Sequence, residues 1–132
     1  MKARWIGWAG VALGLAWAQY QSDAALVGPR ACPKPVAYWQ GARWPVQQLF
    51  LGGQLRPEAE LRAILRRTDA SGPTRFVQNL IAVKLSLAAG AEPSAAVGIV
   101  LEAERRFAEA PPLLADALEA YTQHRYTPGC RR

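Results

Sequence analysis

The chain has 132 residues, 51% of them hydrophobic, and its 16 basic against 10 acidic residues give a formal net charge of +6. A chain of this length has room for one small domain but not for two. A positive charge of this size aids solubility and weakly favours anionic partners, but it does not by itself indicate nucleic acid.

The N-terminal residues have the pattern of a signal peptide. Lys2 and Arg4 precede an uncharged apolar run, and Ala16-Trp17-Ala18 supplies a small-x-small cleavage site. We expect cleavage after residue 18, which leaves 132 − 18 = 114 residues with a net charge of 6 − 2 = +4. The alternative is an uncleaved anchor helix, but the run is short for a membrane span. The sequence therefore predicts an exported protein, periplasmic or extracellular and free or held at the surface, with no transmembrane anchor after cleavage.

Two cysteines bracket the rest of the chain. Cys32 and Cys130 enclose a loop of 130 − 32 = 98 residues, and in an oxidising compartment they most simply pair with each other. Such a bridge would stabilise the fold by about 4–5 kcal/mol in the chain-entropy model. Two free thiols or an intermolecular bridge are the alternatives. Together with the single histidine, His124, the cysteines lack the number and spacing of a zinc site, so neither a metal nor a cofactor is predicted.

The first half of the chain carries turn and aromatic residues. Residues 19–31 have no sustained periodicity and predict a flexible leader. Residues 32–56 predict an irregular aromatic segment, with a short helical turn after Pro45 and a brief extended stretch over residues 49–51. Gly52-Gly53 then predicts a tight turn.

The second half has helical periodicity, and we predict four helices. The first starts at Pro57, and the second runs from residue 73 or 74 to a C-terminal cap at Gly90. The third runs from about residue 93 to the prolines at 111 and 112, and the fourth from residue 113 to about 124. The side chains expected to face the core are Leu61, Ile64 and Leu65 in the first helix, Phe76, Val77, Leu80, Ile81, Leu85 and Ala88 in the second, Val97, Val100, Leu101 and Phe107 in the third, and Leu114, Ala117, Leu118 and Tyr121 in the fourth.

These elements predict an all-α fold in a single small domain. It spans residues 32–130, has about four helices behind an irregular aromatic N-terminal segment, and is closed by one end-to-end disulfide. Residues 131–132 form a basic tail.

Three aromatic residues are candidates for binding a partner. Tyr38, Trp39 and Trp44 would form a platform for another protein or for sugar rings if they were exposed together. The alternative is core packing, since large aromatic side chains dominate the cores of small domains.

Five basic residues are candidates for binding an anionic ligand or polymer: Arg62, Arg66, Arg67, Arg75 and Lys84. Lys84 lies on the apolar second helix, where its stem extends outward to solvent or its ammonium pairs with a carboxylate such as Asp116 or Glu119. Exposed aromatic residues are not interleaved with these charges, so nucleic acid is not a predicted partner.

The inventory of reactive groups does not favour an enzyme. His124 is the single histidine, is expected to be exposed, and the serines lack a nucleophile-elbow context. The carboxylates fall mostly on polar helix faces beside arginines, where solvation explains them. A catalytic site needs convergent roles and not residue types alone, and we predict no catalytic residues.

The order of several motifs resembles a small module of bacterial secreted proteins. That module reads approximately Cys…GYWKNH…WP…LxLG…QLIAAKLN…Cys; here the matching positions are Cys32, Tyr38-Trp39, Trp44-Pro45, residues 49–52 (LFLG), residues 79–86 (NLIAVKLS) and Cys130. The resemblance covers nearly all of the mature domain and implies a compact exported fold with paired end cysteines, but no mechanism. Residues 40–42 are Gln-Gly-Ala, so the lysine, asparagine and histidine of the module are missing.

Two functions are consistent with the sequence. We expect a non-catalytic structural or protein-interaction module of the bacterial cell envelope, whose partner is another envelope or extracellular protein. The alternative is a binder of an anionic ligand or cell-wall polymer through the arginine-rich surface, with binding that weakens as salt rises.

Overall fold

The computed structural model describes residues 31–127 and 129–130, which all belong to one compact unit. The predicted signal peptide, nearly all of the predicted leader and the basic tail lie outside the described residues. Within the described ranges the chain forms five α-helices, two strands and one 3₁₀ turn. In chain order these are α1 (Val36–Gly41), β1 (Gln48–Leu51), β2 (Gln54–Pro57), α2 (Glu58–Leu65), α3 (Gly72–Ala88), α4 (Val97–Arg105), the 3₁₀ turn (Phe107–Glu109) and α5 (Pro112–Thr122).

The fold is mostly helical but not all-α, because β1 and β2 form an antiparallel hairpin. The sequence predicted the extended residues 49–51 and the turn, but it missed the returning strand. Each strand has only four residues, too few for a clear alternation of apolar and polar side chains. Residues 46 and 47 are not helical and lead directly into β1, so the helical turn predicted after Pro45 was wrong. The short helix α1 lies before this proline and was not predicted.

The tip of the hairpin is held against α4. Gly52 and Gly53 have positive φ angles of +63° and +82°, as a two-residue hairpin turn of type I′ requires. Their backbone N–H groups donate to the carboxylate of Glu104 at 3.3 and 3.2 Å. A Cβ atom on Gly52 would lie 2.6 Å from the ring of Phe107. The turn therefore needs glycine at residue 52 both for its conformation and for the close approach.

Helix α3 lies at the centre of the domain and packs against α1, α2, α4, α5 and β1. Its core face includes Phe76, Leu80 and Leu85, each fully buried, as the sequence predicted. Gly90, at φ 103°, ends the helix as predicted, with Ala91 N–H donating to Ser86 O in a Schellman arrangement.

Helix α4 is shorter than predicted and turns a different face to the core. Val97 and Leu101 were expected to be buried, but they are 41% and 66% exposed. Ala96 and Ala103 are instead completely buried, because small side chains let the helix approach its neighbours closely. Val100 and Phe107 do pack against the core as expected, so the prediction was wrong for Val97 and Leu101 only.

The packing of α5 and the disulfide are as predicted, whereas Ala88, expected to face the core at the end of α3, is exposed. Helix α5 buries Leu118 and Tyr121 completely, and Leu114 packs against the same core. Cys32 and Cys130 form the predicted disulfide, with Cα atoms 5.6 Å apart. None of the helices in the described ranges is long and apolar enough to cross a membrane.

A cluster of side-chain hydrogen bonds fixes the start of α3. Ser71 is the N-cap residue, and its Oγ accepts the backbone N–H of Thr74 at 3.2 Å. The carboxylate of Asp69 accepts from Thr74 Oγ1 at 2.6 Å and from Ser71 Oγ at 2.7 Å. These hydrogen bonds, Thr74 first, lower the pKa of Asp69 from 3.8 to about 2.

The hairpin glycines give a matched pair of variants. We expect Gly53→Ala to cost about 1–2 kcal/mol, because residue 53 has open space but a left-handed backbone. Gly52→Ala should cost clearly more, since its methyl group would also collide with Phe107. Denaturant unfolding of both variants measures the difference, and equal destabilisation would contradict the proposed close packing of the turn.

The stability of the domain should depend on the ionisation of Asp69. Its pKa is lower in the folded than in the unfolded protein, so the contribution is present above about pH 4 and is lost as the pH falls towards 2. Asp69→Asn should therefore unfold with a weaker pH dependence between pH 4 and 2 than the wild type. The difference between the two curves isolates this carboxylate from the others, and parallel curves would refute the assignment.

Candidate functional site

The three aromatic candidates are divided between the core and the surface. Trp39 and Trp44 are 3% and 8% exposed, whereas Tyr38 is 47% exposed. The indole N–H of Trp39 donates to Lys34 O at 3.1 Å, and that of Trp44 donates to Trp39 O at 2.8 Å. Both indoles thus have their apolar surface buried and their polar atom satisfied within the domain, as packing residues do. Only Tyr38 is left open to a partner.

Arg62 closes this aromatic cluster from outside. Its guanidinium lies 4.4 Å from the ring centroid of Trp44 and donates to Ala42 O at 2.8 Å and to Glu58 at 2.6 Å. The flat side of this guanidinium is covered by the aromatic ring, and its N–H groups are hydrogen-bonded to a carboxylate and a carbonyl, so little of it is free for a ligand. Arg62 therefore has a structural role in this arrangement.

The other basic candidates do not form one free cationic surface. Arg67 pairs with Asp69 at 3.4 Å, and Arg75 donates to both Asp116 and Glu119, at 2.6 and 2.7 Å. The hydrogen bonds that Arg75 donates to Glu119 and then to Asp116 raise the pKa of Arg75 above its usual value. In the described part of the chain, Arg66 alone of the five candidates makes no ion pair with a carboxylate; its side chain is exposed.

Lys84 is paired, but not with the expected partners. Its ammonium donates to Phe50 O at 2.6 Å and to the carboxylate of Glu104. Pairing with a carboxylate was expected and is present, but the partner is Glu104, because the suggested Asp116 and Glu119 bind Arg75. Nine residues separate the two basic residues on α3, which places them on opposite sides of the helix.

The hairpin carries an exposed surface without charge. Gln48 is paired with Pro57 and Phe50 with Leu55, so these four side chains project on one side of the hairpin, which we call the hairpin face. Phe50 and Leu55 are 52% and 51% exposed, although both are large and apolar. Leu51, on the other side, is buried in the core. The hairpin face is therefore an uncharged and largely apolar surface, and Leu51 on its other side joins the hairpin to the core.

The edges of the hairpin are poorly suited to pairing with another strand. The hydrogen bond from Glu58 N–H to Gln47 O places Phe50 and Leu55 in a pair whose backbone groups point outward. On β1, the outward carbonyl of Phe50 already accepts from Lys84. On β2, Pro57 has no N–H to donate. The side chains of the hairpin face, and not its backbone edges, are thus the part offered to a partner.

Reasoning from the sequence missed the hairpin face. The signal was the pair of glycines flanked by apolar residues on both sides, at residues 49–51 and at Leu55. Residues 32–56 were treated as one irregular aromatic segment, so the strand across the turn and its exposed side chains were not considered.

His124 has a structural contact in place of the predicted exposure. Its Nε2 lies 2.7 Å from Pro33 O, and since a carbonyl oxygen only accepts, this nitrogen carries the proton. The residue is half-buried. Among the residues that the structure describes, no group of three or more histidine, cysteine or acidic side chains is placed to hold a metal ion.

Comparisons with protein-family models, with curated proteins and with solved structures found no match. The resemblance to the secreted bacterial module stays a prediction from the sequence, and the function has to be argued from the residues of this chain.

Substitutions at the neighbouring residues Trp39 and Tyr38 distinguish a buried packing residue from a surface residue. We expect Trp39→Phe to destabilise the domain by about 1–3 kcal/mol, because it loses buried volume and the indole hydrogen bonds. Tyr38→Phe should change the stability by less than about 0.5 kcal/mol, since the ring is half-exposed. Thermal or denaturant unfolding measures both, and a tolerated Trp39→Phe would argue that Trp39 is not a core residue.

Proposed function

We propose that this protein is an exported, non-catalytic interaction module that binds another protein of the cell envelope through the hairpin face. The observation that carries the proposal is the directly paired Phe50 and Leu55, each about half exposed on an uncharged surface. Isolated exposed apolar residues are common, but a cross-strand pair on a rigid hairpin is a surface that a partner can bury.

The free energy available from burying Phe50 and Leu55 is consistent with a protein partner. Completing the burial of a half-exposed phenylalanine or leucine contributes about 1 kcal/mol or somewhat more. Buried side by side, the two would together contribute about 2 kcal/mol, which is what one dominant residue of a protein interface contributes. Tyr38 is a further exposed aromatic side chain, whereas Trp39 and Trp44 support the fold from inside.

Charge pairing argues against the alternative function, the binding of an anionic ligand or polymer. Four of the five basic candidates hold carboxylates, so a polyanion would have to displace internal partners or bind mainly through Arg66. An uncharged apolar face adds nothing to the attraction for a polyanion.

Site-specific photo-crosslinking tests the proposal. A photoreactive phenylalanine analogue is placed at residue 50, or at Leu113 as the control, which is 81% exposed but lies outside the hairpin face. Crosslinking is done in the native cell envelope and the products are identified by mass spectrometry. The partner found at residue 50 is then purified, and its affinity is measured for the wild type, Phe50→Asp and Leu113→Asp.

The outcomes discriminate between the two functions. One protein crosslinked at residue 50 but not at residue 113, with an affinity weakened about tenfold or more by Phe50→Asp alone, would support the proposal. Recovery of an anionic polymer that salt releases, with retention lost in Arg66→Gln and kept in Phe50→Asp, would overturn it in favour of the alternative.

A further inference from the structure

A polar cleft lies between α3 and α5, on a part of the domain unrelated to the hairpin face. Its volume is about 440 Å³. It is open to solvent and lined mainly by polar atoms. The lining residues are Arg75, Asp116, Glu119, Ala120, Gln123 and Arg125.

The wall of the cleft is one stripe of α5. Asp116, Glu119, Ala120 and Gln123 follow the spacing i, i+3, i+4 and i+7, which places them on one helix face. The small side chain of Ala120 leaves room in the middle of this stripe. Arg75 reaches across from α3 and donates to both carboxylates.

The turn that ends α5 places Arg125 next to this helix face. The backbone N–H of Arg125 donates to Ala120 O at 3.1 Å and that of His124 donates to Tyr121 O at 3.1 Å, which is a Schellman motif. His124 has the left-handed conformation that this motif requires, at φ 69°, which is unfavourable for a residue with a side chain. Its ring is bonded to Pro33 O, which holds the turn in place. The position of Arg125 is therefore built into the fold.

The charges in the cleft are separated into two ends. Two carboxylates share the single guanidinium of Arg75, so this end has a net charge of −1. Arg125 hydrogen-bonds to the amide oxygen of Gln123 at 3.4 Å and, among the described residues, forms no ion pair with a carboxylate. The other end therefore has a charge of +1.

The oxygens of the acidic end are not used equally. Glu119 accepts from Arg75 through Oε1 and from Gln123 through Oε2, whereas Asp116 accepts from Arg75 through Oδ1. The side chain of Asp116 is also the more exposed of the two, at 61%. Asp116 is thus the carboxylate with capacity for a further donor.

We propose that this cleft binds a short peptide zwitterion, with the ammonium group at Asp116 and the terminal carboxylate at Arg125. The two ends of the cleft lie on one face of α5, the acidic end at Asp116 and the basic end where Arg125 bonds to Gln123. A short peptide carries the complementary charges, one ammonium and one carboxylate, at its own two ends. The proposal does not depend on the function of the hairpin face.

A titration followed by NMR tests this assignment. The full chain is titrated with alanyl-alanine at low salt, and then with N-acetyl-alanyl-alanine, which has no ammonium group, and with alanyl-alanine amide, which has no carboxylate. We expect saturable shifts at residues of α5 and at Arg125, with a dissociation constant of about 1 mM or below. Each analogue should bind about fivefold or more weakly, because each loses one charge-assisted contact.

Variants of the protein complete the test. Arg125→Gln and Asp116→Asn should each weaken the binding of alanyl-alanine about fivefold or more, and Ala120→Leu should abolish it by filling the cleft. Arg43→Gln, which removes an exposed arginine elsewhere, should bind as the wild type does. The absence of saturable shifts up to about 20 mM, shifts confined to other surfaces, or equal binding of the three peptides would each overturn the proposal. Arg125→Lys keeps the charge and should retain most of the affinity, which separates a loss of binding from a loss of folding.

Discussion

The side chain of Ser86 fixes the beginning of the described chain to the central helix α3, and the packing of Trp39 and Trp44 depends on this contact. Its hydroxyl accepts the backbone N–H of Lys34 at 2.9 Å and donates to the carbonyl of the same residue at 3.2 Å. A hydroxyl has one proton and two lone pairs, so this buried group also accepts the indole N–H of Trp39, at 3.4 Å. Trp39 then bonds to Lys34, Trp44 bonds to Trp39, and Arg62 covers Trp44. The aromatic segment, irregular in sequence, is thus ordered by a chain of contacts that begins on α3.

The sequence predicted α2 to α5 through their periodicity and predicted the disulfide from its chemistry, since both depend on local spacing or on composition. It missed α1, whose six residues are too few to show a helical period. It did not predict the returning strand β2, because four residues show no period, nor the alanine face of α4, because size suggests the opposite orientation. For the candidate site, the sequence indicated aromatic and basic residues as candidates, but it could not predict their partners or their exposure. Which carboxylate binds Lys84, and whether a tryptophan is inside or outside, depends on contacts between residues far apart in the chain.

The distribution of charge divides the surface into regions with different chemistry. Most of the basic side chains that were candidates for binding an anion are paired with carboxylates of the domain. The net positive charge therefore says little about what the protein binds. The hairpin face has no charge at all, and the cleft beside α5 has charges of both signs held apart by the helix backbone. A partner or ligand therefore contacts the charges that ion pairing within the fold leaves unpaired. The net charge of the chain does not describe this pattern.

The bond between Cys32 and Cys130 has a further consequence for a chain exposed to proteases. It joins residues 98 positions apart, so nearly every described peptide bond lies inside the covalent ring. A single cut at an exposed turn opens the ring but releases no fragment, and the two pieces remain side by side with α3 between its neighbours. Two cuts, or one cut followed by reduction, are needed before any part of the domain can diffuse away.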